Sequence, residues 1–146
     1  MKKVLAAIIF CNFVVSSAVA AEIKIGFVTT LTTPAAVIGE DMKNAVNLAL
    51  EHLNGKAGSH KIEVVFGDDC FAPDTGKQVT DRLLKQDKVD IIAGYIWSHV
   101  LLASRKSVLD AGKILISSNA GPSQMASKLC HENFFSASWQ NDQTPM

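Results

Sequence analysis

Apolar and polar positions change their spacing several times along the chain, and each change marks an element. From Glu22 to Val28 apolar residues dominate after Ile23, the pattern of a strand buried on both faces. A polar, small-residue loop containing Pro34 runs from Thr29 to Ala36. From Gly39 onward, Met42, Ala45, Val46, Ala49 and Leu53 recur at three- and four-residue spacing. That spacing predicts an amphipathic helix, ended by Asn54-Gly55, with Gly58 extending the turn. Ile62, Val64 and Phe66 alternate within Lys61 to Gly67 and predict a second strand. Asp68 to Pro73 is a loop. Asp74 is placed to cap a helix running to Gln86, with Val79, Leu83 and Leu84 inward. Val89 to Ala93 is a third strand, ending in Gly94-Tyr95-Ile96-Trp97-Ser98. Ser98 stands where it can cap the helix of Val100, Leu101, Ala103, Val108 and Leu109, which Gly112 ends.

The fourth strand, Ile114 to Ser117, breaks off abruptly into Ser118-Asn119-Ala120-Gly121-Pro122-Ser123. A short helix is expected from Pro122 to Leu129, and a fifth strand from Phe134 to Ser138. Strands alternating with helices predict an α/β fold, an open parallel sheet with flanking helices and right-handed crossovers. No repeat or linker divides it. Trp139-Gln140-Asn141-Asp142 reads as the start of a further element. A sheet this small is expected to leave apolar surface uncovered at one edge, as in a truncated domain.

Met1-Lys2-Lys3, an apolar run from Val4 to Val15, and small residues at Ala18 and Ala20 form a signal-peptide pattern over residues 1–20. The run is short for a spanning helix, which needs about 20 apolar residues. Losing Lys2 and Lys3 leaves the basic residues two short of the 14 acidic ones, a net charge of −2. No basic cluster survives, so no nucleic-acid partner is expected. Cys70 and Cys130 remain, and two cysteines in an exported chain are more often a disulfide than a metal site.

Several chemistries are then set aside. Thr29 to Gly39 carries neither G-x-G-x-x-G nor G-x-x-x-x-G-K-[ST], so no nucleotide cofactor is expected. His52, His60, His99 and His131 lack metal-ligand spacing, and Asp68-Asp69 lacks further oxygen ligands nearby. Ser98 and His99 are adjacent, so their side chains point apart, and no G-x-S-x-G elbow exists. Asp68 and Asp69 read as caps or a hydrogen-bonded loop rather than as acid–base catalysts.

Two strand-end loops remain, Gly94 to Ser98 and Ser117 to Ser123. Ligands of open α/β sheets sit outside the carboxyl ends of the strands. Both loops follow parallel strands and each feeds a helix N-terminus, where N–H groups and the helix dipole favour a carboxylate. Hydroxyls of Ser98, Ser118 and Ser123 and the amide of Asn119 can add directed hydrogen bonds. Small Ala120 and Gly121 let a ligand approach the backbone. Tyr95 and Trp97 can supply an aromatic wall, although Trp97 is equally well read as core. Ordinary turn chemistry is the competing reading of both loops.

These loops also carry a likeness. Ile23 to Val28, Thr33-Pro34-Ala35 with Gly39, Asp68-Asp69-Cys70, Gly94 to Ser98 and Ile116 to Pro122 together resemble periplasmic substrate-binding proteins of branched-chain amino acid ABC transporters, of the type I binding-protein fold. Asn119 to Ser123 and Trp139 to Asp142 look closer to the branch that takes aromatic acids and related small carboxylates. The resemblance implies that residues 21–146 are part of an N-terminal lobe, half of a hinged clamp. It implies that Ser98 and the Ala120 region hold the ligand's polar groups. Leucine-type binders have a second cysteine where this chain has Trp97, so Cys130 becomes the alternative partner for Cys70.

The expected function is that of a periplasmic solute receptor, not an enzyme. It would bind an amino acid or a related small carboxylate, aromatic acids included, and deliver it to an inner-membrane ABC permease. Trp97, Ser98, Ser118, Asn119, Ala120 and Gly121 are the expected ligand residues, with no metal or cofactor. An exported α/β enzyme and a fragment without binding activity are the rivals. Alone, this chain is expected to bind weakly or not at all.

Overall fold

In the computed structural model, which describes residues 21–143, a six-stranded sheet runs in the order β2-β3-β1-β4-β5-β6. The elements are β1 (Glu22–Thr29), α1 (Ala36–His52), β2 (Lys56–Ala57), β3 (His60–Asp68), α2 (Pro73–Lys85), β4 (Ile91–Gly94), α3 (Ser98–Asp110), β5 (Ile114–Ser117) and β6 (Phe134–Ser136). Single 3-10 turns stand between β5 and β6, at Ser123–Ala126, and after β6, at Asn141–Gln143. β1 pairs in parallel with β3 and β4, β4 with β5, and β5 with β6. The expected α/β fold with a parallel sheet is what forms. The leader expected over residues 1–20 lies outside the described residues.

Four expectations need correcting. β2 is antiparallel to β3, because Gly58 at φ 60° closes a two-residue turn that folds the expected loop into a hairpin. Asp74 does not cap α2: Ala72 stands at the cap and Pro73 opens the helix, where its missing N–H costs nothing. Ser98 does not cap α3 either. It is the first helical residue, behind an extended Trp97. The helix expected from Pro122 to Leu129 shrinks to one 3-10 turn.

The two sheet faces are covered unequally. Val28, Ile92 and Leu115 point toward α2 and α3, and with Leu83, Val89, Val100, Leu101 and Val108 they form the buried core. Glycines at 26 and 67 let those helices sit close, since a side chain there would meet Leu83, Val89 or Val79. The opposite face carries the rows Ile25–Ile91–Ile114 and Phe27–Ala93–Ile116–Phe135. Here α1 packs over β1, while Ile114 and Phe135 stay 38% and 54% exposed. The uncovered apolar surface therefore lies on a face, over β5 and β6, as well as at an edge.

The disulfide considered between Cys70 and Cys130 does not form, and both thiols are free and exposed. Cys70 follows β3 at the carboxyl edge, whereas Cys130 precedes β6, with β1, β4 and β5 between them. Four strand spacings amount to about 19 Å, beyond the ~7 Å that a disulfide tolerates between Cα atoms.

Gly94 ends β4 at φ 110°, and a Cβ there would lie 2.2 Å from the Val28 carbonyl oxygen. Gly94→Ala is expected to lose about 2–5 kcal/mol in urea unfolding, from backbone strain and a clash with main chain. Gly58→Ala, at φ 60° in open space, should lose only about 1–2 kcal/mol. Equal losses would contradict the close approach of β4 to β1.

Candidate functional site

Four loops share the carboxyl edge of the sheet: residues 30–35 after β1, 69–72 after β3, 95–97 after β4 and 118–122 after β5. The order β3-β1-β4-β5 makes them neighbours. Gly94 pairs with Ser117 in register. From there Ser118 N–H donates to Gly94 O at 2.8 Å, Ala120 N–H to Tyr95 O at 3.0 Å, and Asn119 Nδ2 to Ile96 O at 3.0 Å. The loops bearing Ser98 and Ala120 thus lie side by side on one rim.

Tyr95 turns the chain out of β4 at φ 62°, an unusual conformation for a bulky residue. Its N–H donates to Val28 O at 2.7 Å, and its fully buried hydroxyl lies 2.7 Å from Thr80 Oγ1. Burial pushes the phenol far above its usual pKa. Tyr95 is therefore core, not the exposed wall the sequence allowed.

Trp97 is half-buried and leaves Tyr95 behind it. Its indole N–H donates to Thr30 Oγ1 at 2.9 Å, and its ring meets Phe71 edge-on, with centroids 4.7 Å apart. The His99 ring stands 5.1 Å from Phe71, with Nε2 3.3 Å from the Phe71 carbonyl oxygen. Phe71 is 45% exposed, so this aromatic cluster opens to solvent.

Ser98 opens α3. Leu101 N–H reaches the Trp97 carbonyl, but the N–H groups of Ser98, His99 and Val100 have no acceptor among the described residues. Ser98 Oγ accepts from Asn141 Nδ2 at 3.1 Å, and Asn141 N–H donates to Gly121 O at 2.7 Å. Residues 139–141 thus cross the rim. A side chain on Gly121 would lie 1.9 Å from the Trp139 carbonyl oxygen. Ala120 and Gly121 are buried, and the Ala120 carbonyl takes the Ser117 hydroxyl. Their role is to pack the rim, while Asn119 is exposed and Ser118 faces α1.

The loop after β3 underlies all of this. Asp68 accepts from Leu31 N–H and Cys70 N–H, both at 2.9 Å, and from the Thr32 hydroxyl at 2.7 Å. Burial alone would raise its pKa, but these donors outweigh burial and hold the carboxyl below the ordinary aspartate value. Asp69 is fully buried and accepts from Thr30 Oγ1 at 2.6 Å and Phe71 N–H at 2.9 Å. Sequence reasoning noted the two acids as a loop but missed Thr30, Phe71 and Asn141. Only the strand order could have placed them here.

Two apolar hollows touch the rim only at Ser118. One of ≈ 290 Å³ is lined by Phe27, Met42, Ala45, Val46, Ala49 and Ser118, another of ≈ 270 Å³ by residues that include Leu50, Leu53, Ile62 and Val64. Both flank α1 and are apolar, with almost nothing to orient an acid. The ion pairs Lys24–Glu63, Lys77–Asp81 and Lys106–Asp110 involve no residue of the four rim loops. What the rim offers is helix N–H groups, a hydroxyl and aromatic edges, a set suited to a small anion with a flat or apolar body.

Comparison with known proteins follows this geometry. The family described as "Periplasmic binding protein" matches residues 22–146. Leu/Ile/Val-binding protein homolog 3 from Brucella melitensis is 28% identical over 123 residues, 82% of this chain and 33% of that protein. A solute-binding protein of an ABC transporter from R. palustris, in complex with benzoate, superposes with a TM-score of 0.79 at 28% identity. That match covers 84% of this chain and 34% of the other. The branched-chain amino acid transporter substrate-binding protein LivJ from Streptococcus pneumoniae, in complex with isoleucine, gives a TM-score of 0.74 at 27% identity, covering 82% and 34%. The chain spans about a third of the length of these relatives.

Asp68→Asn tests the hydrogen-bonded loop. A lowered folded-state pKa means that the carboxylate's stabilisation is complete above the ordinary aspartate value and is lost as pH falls through the lowered one. Urea unfolding from pH 7 to pH 2 should show parent and variant converging only at the acid end. A constant gap across that range would contradict the assignment.

Proposed function

The chain belongs to the periplasmic binding protein family, and on that premise we propose that it acts as the solute receptor of an ABC importer. Its solute is an amino acid or a related small carboxylate, aromatic acids included, which it delivers to an inner-membrane permease. It works in the periplasm, reached through a signal peptide over residues 1–20, and residues 21–146 form part of an N-terminal lobe. Trp97, Ser98, Ser118, Asn119, Ala120 and Gly121 build the site. Ser98 and the N–H groups at the start of α3 meet the acid, Trp97 walls its body, and the 118–121 loop shapes the rim.

One observation carries this reading: at the start of α3, on the shared rim, the N–H groups of half-buried Ser98 and exposed His99 have no acceptor among the described residues. A helix N-terminus of this kind favours an anion without a cationic side chain. The relatives' ligands support the class. Isoleucine and benzoate share a carboxylate and little else.

The enzyme reading lacks a comparable observation. The Ser98 hydroxyl is engaged by Asn141, and the His99 ring lies against Phe71. They do not form a nucleophile–base pair, so binding without chemistry is the better use of these groups.

Ligand-observed NMR titrations with benzoate, isoleucine and their uncharged amides test the reading. An open rim offering a few hydrogen bonds corresponds to a dissociation constant on the order of 1 mM. The acids are expected to bind and the amides not. Ser98→Ala should weaken acid binding about two- to tenfold, the worth of one hydrogen bond. Ser98→Pro should weaken it further, since proline removes the N–H yet fits a first helical position. Equal binding of acids and amides, or no effect of Ser98→Pro in a folded chain, would count against the receptor.

A further inference from the structure

The two rings beside Ser98 hang from one oxygen. Phe71 N–H donates to Asp69 Oδ1 at 2.9 Å, and Thr30 Oγ1 donates to the same oxygen at 2.6 Å. Thr30 Oγ1 in turn accepts from the Trp97 indole at 2.9 Å. An indole N–H can only donate. Thr30 must therefore accept from Trp97, which leaves its single hydroxyl hydrogen for Asp69. The direction of the chain Trp97–Thr30–Asp69 is fixed. Asp69 and Thr30 are both fully buried, so water does not compete for these bonds.

The alternatives available to both rings are poor. Cys70 and Phe71 sit at φ 51° and 64°, a conformation that side-chain-bearing residues adopt only when something holds them. Asp68 holds Cys70 N–H and Asp69 holds Phe71 N–H. Asp69 is fixed by its own main chain: its N–H donates to Thr29 O at 3.0 Å, and its carbonyl accepts from Ala72 N–H at 2.9 Å. Its second oxygen, Oδ2, is buried without a partner among the described residues. A carboxyl would not be kept there for its own solvation, because burying a polar oxygen unpaired is unfavourable. What it visibly does is orient two aromatic groups on loops from different strands.

We propose that Asp69 is a positioning residue for the ligand rim: through Phe71 N–H and the Thr30 hydroxyl it sets the angle between the Phe71 and Trp97 rings, and so the shape of the wall against which the acid's body lies. The ligand half of this statement rests on the receptor reading above. The orientation half does not.

The test uses Trp97 as its own reporter. The chain has two tryptophans, and Trp139 is 67% exposed, so Trp139→Phe leaves Trp97 alone to emit. In that background Thr30→Val and Asp69→Ala should red-shift the emission and raise acrylamide quenching. Thr30→Ser and Asp69→Asn, which keep a hydroxyl and an accepting oxygen, should stay near the parent. Benzoate affinity should fall about two- to tenfold in the first pair and hold in the second, matching one lost hydrogen bond. Unchanged quenching in folded Thr30→Val overturns the proposal, and so does changed quenching with unchanged benzoate affinity. If the parent binds no acid, the receptor reading fails, and quenching alone judges the orientation. Should the substituted chains not fold, indole hydrogen exchange in the unsubstituted chain decides. Slow exchange at Trp97 beside fast exchange at Trp139 supports the relay, and equally fast exchange overturns it.

Discussion

The carboxyl edge of this sheet depends on the adjacent side chains of Asp68 and Asp69. Four loops end there, and loops carry N–H groups that no strand satisfies. Asp68 takes donors from Leu31, Thr32 and Cys70, and Asp69 takes them from Thr30 and Phe71. Without these acceptors the loop after β1 would keep only the Asp69 N–H bond to Thr29 O and the Thr32 hydroxyl contact with Cys70 Sγ as its hydrogen bonds to the loop after β3. Trp97, bonded to Thr30, would also lose its anchor. The parallel strands bring the loops to one edge, and the two acids give that edge a definite shape.

This arrangement divides the rim into buried and outward-facing residues. Tyr95, Ala120 and Gly121 lie in the rim but are buried within it. They let β4 and β5 turn sharply and stay together. Ser98, His99, Phe71 and Asn119 reach outward. A rim built this way offers main-chain donors at fixed positions, groups that would need no reordering to meet an acid. Residues 139–141 also cross it, tying Gly121 and Ser98 to the last described turn. The opposite sheet face leaves Phe135 and Ile114 exposed.

Much of the framework could be read from residue order. Alternating strand and helix patterns implied parallel pairing, and parallel pairing implied that the loops of Ser98 and Ala120 share an edge. Periodicity did not contain the lateral order of the strands, and each misreading traces to that or to local turn geometry. Thr30 and Asp69 are 39 residues apart and Thr30 and Trp97 are 67 apart. They meet only because β1 lies between β3 and β4. The same order carries Cys130 away from Cys70. The β2 hairpin and the start of α3 were missed for a smaller reason: a glycine at positive φ and an extended tryptophan moved each boundary by a residue or two.

Where a small acid touches the chain is the deciding observation. Amide chemical shifts of the 15N-labelled chain, followed while benzoate is added to millimolar concentration, report this residue by residue. The largest changes are expected at Ser98 and His99, with smaller ones at Phe71 and Asn119 and none along α1. Changes centred on Met42, Ala45 and Ala49, beside the apolar hollow, would contradict that expectation, as would a spectrum that does not move.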